Sequence, residues 1–251
     1  MNYPLCTVIV TTYNRGDRLL PLALDSILAQ TIRDYEVVLM DDASTDCTPR
    51  TIETYATKFK DAGIDFRAFR LAENSGYQCV PKNLAIYNAR GDYIAYLDDD
   101  NEWMPNHLER LLATLDDNME LDLVYCWRQY VKDGHDGVPI DPHPPDWGNA
   151  AKSIMSYVNC IDTSDIVHSR GLAYHLYDTF GEIWGENERR YGDLHFLQRC
   201  IRAGARGRLV PEELTRYRWH GGNLMLTRPL GEGYAAMGIE RIEPEVKKGL
   251  V

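Results

Sequence analysis

An α/β fold built on a mainly parallel sheet is what this sequence predicts, from three observations. Short apolar runs of strand length alternate with amphipathic helical stretches through the first half of the 251-residue chain. The βαβαβαβ order that results favours parallel pairing with helices on the sheet's faces. Three of the apolar runs also stop abruptly in polar loops, which such a sheet gathers at the carboxyl ends of its strands, where ligands bind.

The elements follow in order. Cys6 to Thr11 is a buried strand, and Leu20, Leu24, Ile27 and Leu28 recur at helical spacing after it. Glu36 to Met40 is the second strand and runs into the polar loop Asp41 to Asp46. Thr48 is placed to cap a helix with Pro49 at its first position, Ile52, Tyr55, Ala56 and Phe59 on its buried face, and Gly63 past its end. Phe66 to Arg70 is a third, less buried strand. Pro81 opens a helix carrying Leu84, Ala85 and Ile86, with Gly91 beyond it. Tyr93 to Leu97 is the fourth strand and ends in Asp98-Asp99-Asp100.

The second half is less regular. Leu108, Leu111, Leu112 and Leu115 mark an amphipathic helix after Pro105, and Leu121 to Trp127 an apolar strand. Residues 133–150, rich in Gly, Pro, Asp and His, read as a long loop whose His135, His143 and Trp147 offer aromatic faces on which a ligand ring could stack. Ile166 to His168 reads as a strand, Leu172 to Phe180 as a helix, and a further helix opens at Gly192-Asp193. Glu213 to His220 alternates like a strand, and Gly221-Gly222-Asn223 follows. We expect one domain over 1–225, divided into halves 1–101 and 102–225, and a tail over 226–251.

Composition narrows the function. Hydrophobic content of 44% and charged content of 26% are those of an ordinary globular protein. A net charge of −11 argues against a nucleic-acid partner, whose phosphates attract Lys and Arg. Six scattered cysteines form no CxxC or Cys/His cluster, which argues against zinc and a disulfide framework and for reduced thiols in the cytoplasm. The apolar run Leu5 to Val10 is too short for a signal peptide, and no run reaches the roughly 18 residues of a membrane span.

The acidic triplet is the most informative stretch. Three adjacent carboxylates repel one another unless a cation offsets them, and oxygen-only ligands favour a hard divalent metal such as Mg²⁺ or Mn²⁺. A solvated acidic turn is the ordinary reading of a charge run. Convergence of Thr11-Thr12-Tyr13-Asn14-Arg15, Asp41 to Asp46 and Asp98 to Asp100 on one sheet edge is what favours a site. Asp193 at a helix start reads on its own as a cap. His220, beside a glycine pair, is divided evenly between a structural role and a phosphate or metal contact from a lid.

Val8 to Arg15, Asp41 to Asp46, and Asn83 and Gly91 ahead of Asp98-Asp99-Asp100 resemble the family 2 glycosyltransferases with the GT-A fold. Within that family, Tyr96 to Pro105, Trp184, and Arg190-Tyr191-Gly192-Asp193 ahead of Phe196 are most similar to the spore-coat polysaccharide type. The resemblance implies an inverting, metal-dependent enzyme that moves a sugar from a UDP- or dTDP-sugar to an acceptor hydroxyl, with a glycan or small molecule as the favoured acceptor. Thr11 and Tyr13 would border the base, Asp42 would accept its N3–H, and Arg15 would approach the nucleotide. Asp99 would lie near the ribose or sugar, Asp100 would bind Mn²⁺ or Mg²⁺, and Asp193 would be the general base. Asp98 stands where the spore-coat type has a neutral residue. The family's basic contact after the third strand has only Lys82 to represent it in residues 74–82. Two alternatives are a nucleotidyltransferase acting on a sugar phosphate and a non-catalytic sugar-nucleotide-binding protein. The first needs a Gly-rich phosphate loop after the first strand, and here only Gly16 is present.

Overall fold

A computed structural model describes residues 3–132, 135–138, 143–185 and 191–220. Two compact units divide the chain, Met1–Arg218 and Trp219–Val251. The expected tail over 226–251 lies outside the described residues, as does Arg190.

Four strands build the parallel half: β1 (Cys6–Thr12), β2 (Tyr35–Asp41), β3 (Asp65–Arg70) and β4 (Tyr93–Asp98). They lie side by side as β3-β2-β1-β4, every pair parallel. Between them run α1 (Leu19–Leu28), α2 (Thr48–Asp61) and α3 (Cys79–Tyr87). All residues of β1 and β2 are buried, the result of covering both faces of the sheet. Side-chain alternation separates two cores. Val8, Val10, Val37, Leu39, Ala95 and Leu97 pack under α1, α2 and the helix α4 (His107–Asp116). Ile9, Val38, Met40, Ile94 and Tyr96 face α3 and the helices α6 (Arg170–Phe180) and α7 (Gly192–Arg202).

The sheet continues without a break into the second half. β8 (Ile166–Ser169) enters antiparallel beside β4, and β6 (Leu123–Lys132) lies antiparallel beside β8. β9 (Gly207–Trp219) follows, and the two-residue β5 (Glu102–Trp103) closes that edge. A short strand β7 (His135–Val138) pairs with β6. The helix α5 (Trp147–Met155) and a 3₁₀ turn (Thr163–Asp165) complete this half.

Most expected elements are present, with local differences. Thr48 is the first residue of α2 rather than its cap, and its hydroxyl accepts the Arg15 N–H at 3.1 Å. α3 starts two residues ahead of Pro81, which therefore sits in the first turn, where no helical N–H bond is lost. The stretch expected to be a loop over 133–150 instead contributes β7 and the start of α5. Asp146 caps that helix through the Asn149 N–H. Trp147, read as a stacking platform, lies against Gly207, where a Cβ would fall 2.4 Å from the indole.

At the amino ends of the parallel strands a single buried carboxylate collects the charge. Glu36 accepts from the Thr7 hydroxyl at 2.7 Å, the Arg90 N–H at 2.8 Å and the Arg67 guanidinium at 2.9 Å. Gly91 passes so close to β1 that a Cβ would meet the Cys6 backbone at 2.5 Å. Among the described residues, no helix is long and apolar enough to cross a membrane.

Candidate active site

The site forms where β1, β2 and β4 end level. Thr12 is in register with Asp41, and Thr11 with Asp98. Asn14 locks the first two loops together from a left-handed backbone (φ 55°). Its Oδ1 accepts the Thr45 N–H at 2.7 Å, and its own N–H donates to the Ser44 hydroxyl at 2.9 Å. Asp41 is spent on structure: Arg70 donates to it at 2.5 Å and the Ser44 N–H at 2.9 Å.

Asp42 is only 5% exposed. It accepts the Ser75 N–H at 2.8 Å, the Ser75 hydroxyl at 2.9 Å and the Asn74 amide at 3.0 Å. These three donors fix the carboxylate's plane and leave it lone pairs for a further donor. Thr11 is buried at the end of β1, whereas Tyr13 is 44% exposed. An exposed aromatic on a rigid strand end can receive a base.

The acidic triplet has a division of labour that the sequence did not reveal. Asp98 faces inward to Lys82, whose Nζ lies 3.1 Å from its Oδ1. Lys82 is 1% exposed, donates to Gln78 Oε1 at 2.7 Å and sits 4.6 Å over the Trp184 ring. Trp184 is held in turn by Asn83, which bonds both its carbonyl (2.8 Å) and its N–H (2.9 Å). Lys82 thus acts as internal counter-ion to Asp98. Asp99 turns to the β1 loop, taking the Tyr13 N–H at 3.4 Å with Arg15 Nε at 3.9 Å. Asp100 is half-buried at the end of the run.

Charge remains in excess here. Burial, then the neighbouring Asp100 carboxylate, pushes Asp99 up to about 7. Burial also raises Asp98, with the Lys82 ammonium opposing it. Asp162, which caps the 3₁₀ turn, is pushed up to about 8 by burial and then by Asp98. A site with this imbalance favours a cation. Among the described residues no group of three or more His, Cys, Asp or Glu side chains forms a closed metal cage. The donor set fits a hard divalent ion held by one carboxylate, with phosphate and water oxygens filling the other positions.

Residues from the second half of the chain brace the triplet. Ser164 ties the two halves together: its Oγ accepts the Asp98 N–H at 3.2 Å and the Asn101 amide at 2.8 Å. Arg128 pairs with the fully buried Asp165. Asp193 is the second residue of α7, not its cap, which is Tyr191. Its Oδ1 accepts the Leu194 N–H at 2.8 Å, and its Oδ2 the Asn159 amide at 2.6 Å. Its charge also raises Asp98, less than that of Asp100 does. His220 directly follows β9, in the second unit. Lys82, Ser164 and Asn159 escaped assignment from sequence because their partners are far apart along the chain.

The match to the Glycosyl transferase family 2 description covers residues 7–171, about two thirds of the chain. The protein belongs to this family. The matched region contains Asp42 and the triplet and stops before Asp193. An uncharacterised glycosyltransferase of Methanocaldococcus jannaschii is 27% identical over 87% of this chain and 72% of its own. The Bacillus subtilis protein TuaG, named as a putative teichuronic acid biosynthesis glycosyltransferase, is 33% identical over 57% of this chain and 54% of its own. Among solved structures, S. aureus TarS 1–349 in complex with UDP-GlcNAc superposes with a TM-score of 0.72 at 21% identity, over 92% of this chain and 64% of that one. The mannosyltransferase PcManGT of Pyrobaculum calidifontis, in complex with GDP-Man and Mn²⁺, gives 0.64 at 23%, over 89% and 59%. The fold is therefore GT-A. The chain spans about half the length of TuaG and under two thirds of these two solved chains.

Proposed function

We propose that this family 2 glycosyltransferase moves a sugar from a UDP- or dTDP-sugar to an acceptor hydroxyl in one inverting displacement. The observation that supports the reading is the strand register that brings the carboxyl ends of β1, β2 and β4 to one edge, beside the loops that carry Asp42 and the acidic triplet. Residues 1–101 serve the donor and 102–225 the acceptor.

Tyr13 stacks on the base, with Thr11 beside it, and Asp42 accepts the N3–H of uracil or thymine. Arg15 and Asp99 lie toward the ribose and sugar. Asp100 is the residue to hold Mn²⁺ or Mg²⁺, and that ion, when bound, stabilises charge on the departing diphosphate. Asp193 has one donor on each oxygen, and a carboxylate oxygen has two lone pairs, so a hydroxyl proton can still be taken. The acceptor oxygen attacks the anomeric carbon as the bond to the diphosphate oxygen breaks, and the proton passes to Asp193. General-base help of this kind contributes about 10²–10⁴ in rate. Buried free thiols at Cys6, Cys79, Cys126 and Cys200 support a cytoplasmic location.

A panel of UDP- and dTDP-sugars with Mn²⁺ or with EDTA, read as released nucleotide, tests donor and metal together. Release should require the metal, and equal turnover with chelator overturns that part. Asp193→Asn should abolish release and transfer while leaving UDP affinity unchanged. Full activity in that variant rejects the base.

A further inference from the structure

The turn that follows α5 has a backbone conformation at odds with its side chain. α5 stops with Tyr157 donating to the Ile154 carbonyl at 3.0 Å and Val158 to the Ser153 carbonyl at 2.9 Å. Tyr157 itself is left-handed, at φ 63°. The same crossed pair of bonds ends two other helices of this protein. Gly63 and Ile64 make it after α2, and Gly204 and Ala205 after α7, with the glycines at φ 72° and 79°. Glycine is the usual residue there because a Cβ disfavours that conformation.

Burial does not repay the tyrosine for its position. Tyr157 is 40% exposed and its neighbour Val158 is 55% exposed. The turn is nonetheless fixed in place. Two residues on, Asn159 gives its amide N–H to Asp193 Oδ2 at 2.6 Å, while its own Oδ1 accepts the Ile161 N–H at 3.2 Å. That second bond sets which way the amide faces. A half-exposed aromatic ring therefore lies within two residues of the contact to the proposed base.

We propose that the turn Tyr157–Asn159 is an acceptor subsite, that Tyr157 takes the apolar face of an acceptor sugar ring, and that the acceptor is accordingly a saccharide. The inference rests on the reading of Asp193 as the base. A hydroxyl within reach of Asp193 is beside the Asn159 amide that holds that carboxylate, and so next to this turn. Aromatic side chains suit such a ligand, because the ring offers an apolar surface and the tyrosine hydroxyl a polar edge.

The test compares Tyr157→Gly and Tyr157→Phe with the parent chain and with Asp193→Asn. The acceptors are methyl glycosides of glucose, galactose, mannose and N-acetylglucosamine. Transfer product is read by mass spectrometry, and hydrolysis of the nucleotide sugar alone by released nucleotide. Tyr157→Gly should fold with a Tm no lower than the parent's, because it restores the favoured residue. It should also lose about tenfold or more in kcat/KM for transfer, with hydrolysis to water unchanged. Tyr157→Phe should keep transfer. Unchanged transfer in Tyr157→Gly, or a lowered Tm, overturns the proposal, and transfer to none of the four glycosides overturns the saccharide class. Loss of both hydrolysis and transfer belongs to Asp193→Asn alone, and full activity there rejects the base instead.

Discussion

Replacing Lys82 by Met removes a buried cation while keeping most of its stem. The Nζ–Oδ1 separation of 3.1 Å corresponds to a Coulomb attraction of about 5 kcal/mol at an effective dielectric of about 20. Desolvation of both groups offsets much of that in the intact pair. The single variant gains no such offset, since Asp98 stays half-buried beside Asp99 and Asp100 with its counter-ion gone. Removing one partner of a buried pair costs about 3–5 kcal/mol. With a urea m-value near the upper end of the roughly 1–3 kcal/mol/M range, the unfolding midpoint should fall by about 1–2 M. The double variant Lys82→Met with Asp98→Asn should recover most of the loss, because neither charge is then stranded. Urea titration followed by circular dichroism reads both. A midpoint for Lys82→Met close to the parent's, or a double variant no more stable than Lys82→Met, would refute the counter-ion role.

Two other predictions follow from the same site. Asp99 and Asp162 hold their protons up to about 7 and about 8 in the folded chain, above the ordinary value of 3.8. The folded state therefore binds more protons than the unfolded one over that window. The contribution of these groups is complete below the unfolded value and is lost as pH rises through 7 and 8, at up to about 1.4 kcal/mol per pH unit for each. Scanning calorimetry without added metal should show Tm falling from pH 5 to pH 8.5 and a shallower fall in Asp162→Asn, and identical slopes would contradict the assignment. Tyr13→Ala should weaken UDP binding by about 1–3 kcal/mol in calorimetric titration, with Tm unchanged, since stacking is lost from an exposed ring. Unaltered UDP affinity would remove Tyr13 from the donor site.

The parallel half was legible because its information is local. β1, β2 and β4 each carry an apolar run and the polar loop that ends it in one stretch of chain. Strand order then brings the loops together without further information. Elsewhere the signal was weaker. Pro211 masked the beginning of β9, which starts at Gly207 rather than at Glu213. β5 pairs only with Thr215 and Arg216, so Pro211 lies beyond it. α5 was hidden by the Pro- and Gly-rich composition before it, although Asp146 is an ordinary cap. The role of Asp98 was not legible because its partner lies on the helix before its strand, 16 residues earlier. For Asp193 the sequence left cap and base side by side. Tyr191 holds the cap position, and Asn159, which no motif singles out, meets the carboxylate.

The entry of β8 beside β4 constrains how such proteins can be recombined. A chimera joined at residue 101, to pair residues 1–101 with another protein's second half, would cut through a shared framework. Ser164 reaches back to Asp98 and Asn101, and Tyr93, Ile94 and Ala95 pair with Ser169, His168 and Val167. The acidic loop would then depend on a foreign strand and a foreign serine. If the proposed acceptor subsite holds, exchange of acceptor preference is better sought in the segment 143–160, which carries α5 and the turn after it and spares every strand beside the triplet.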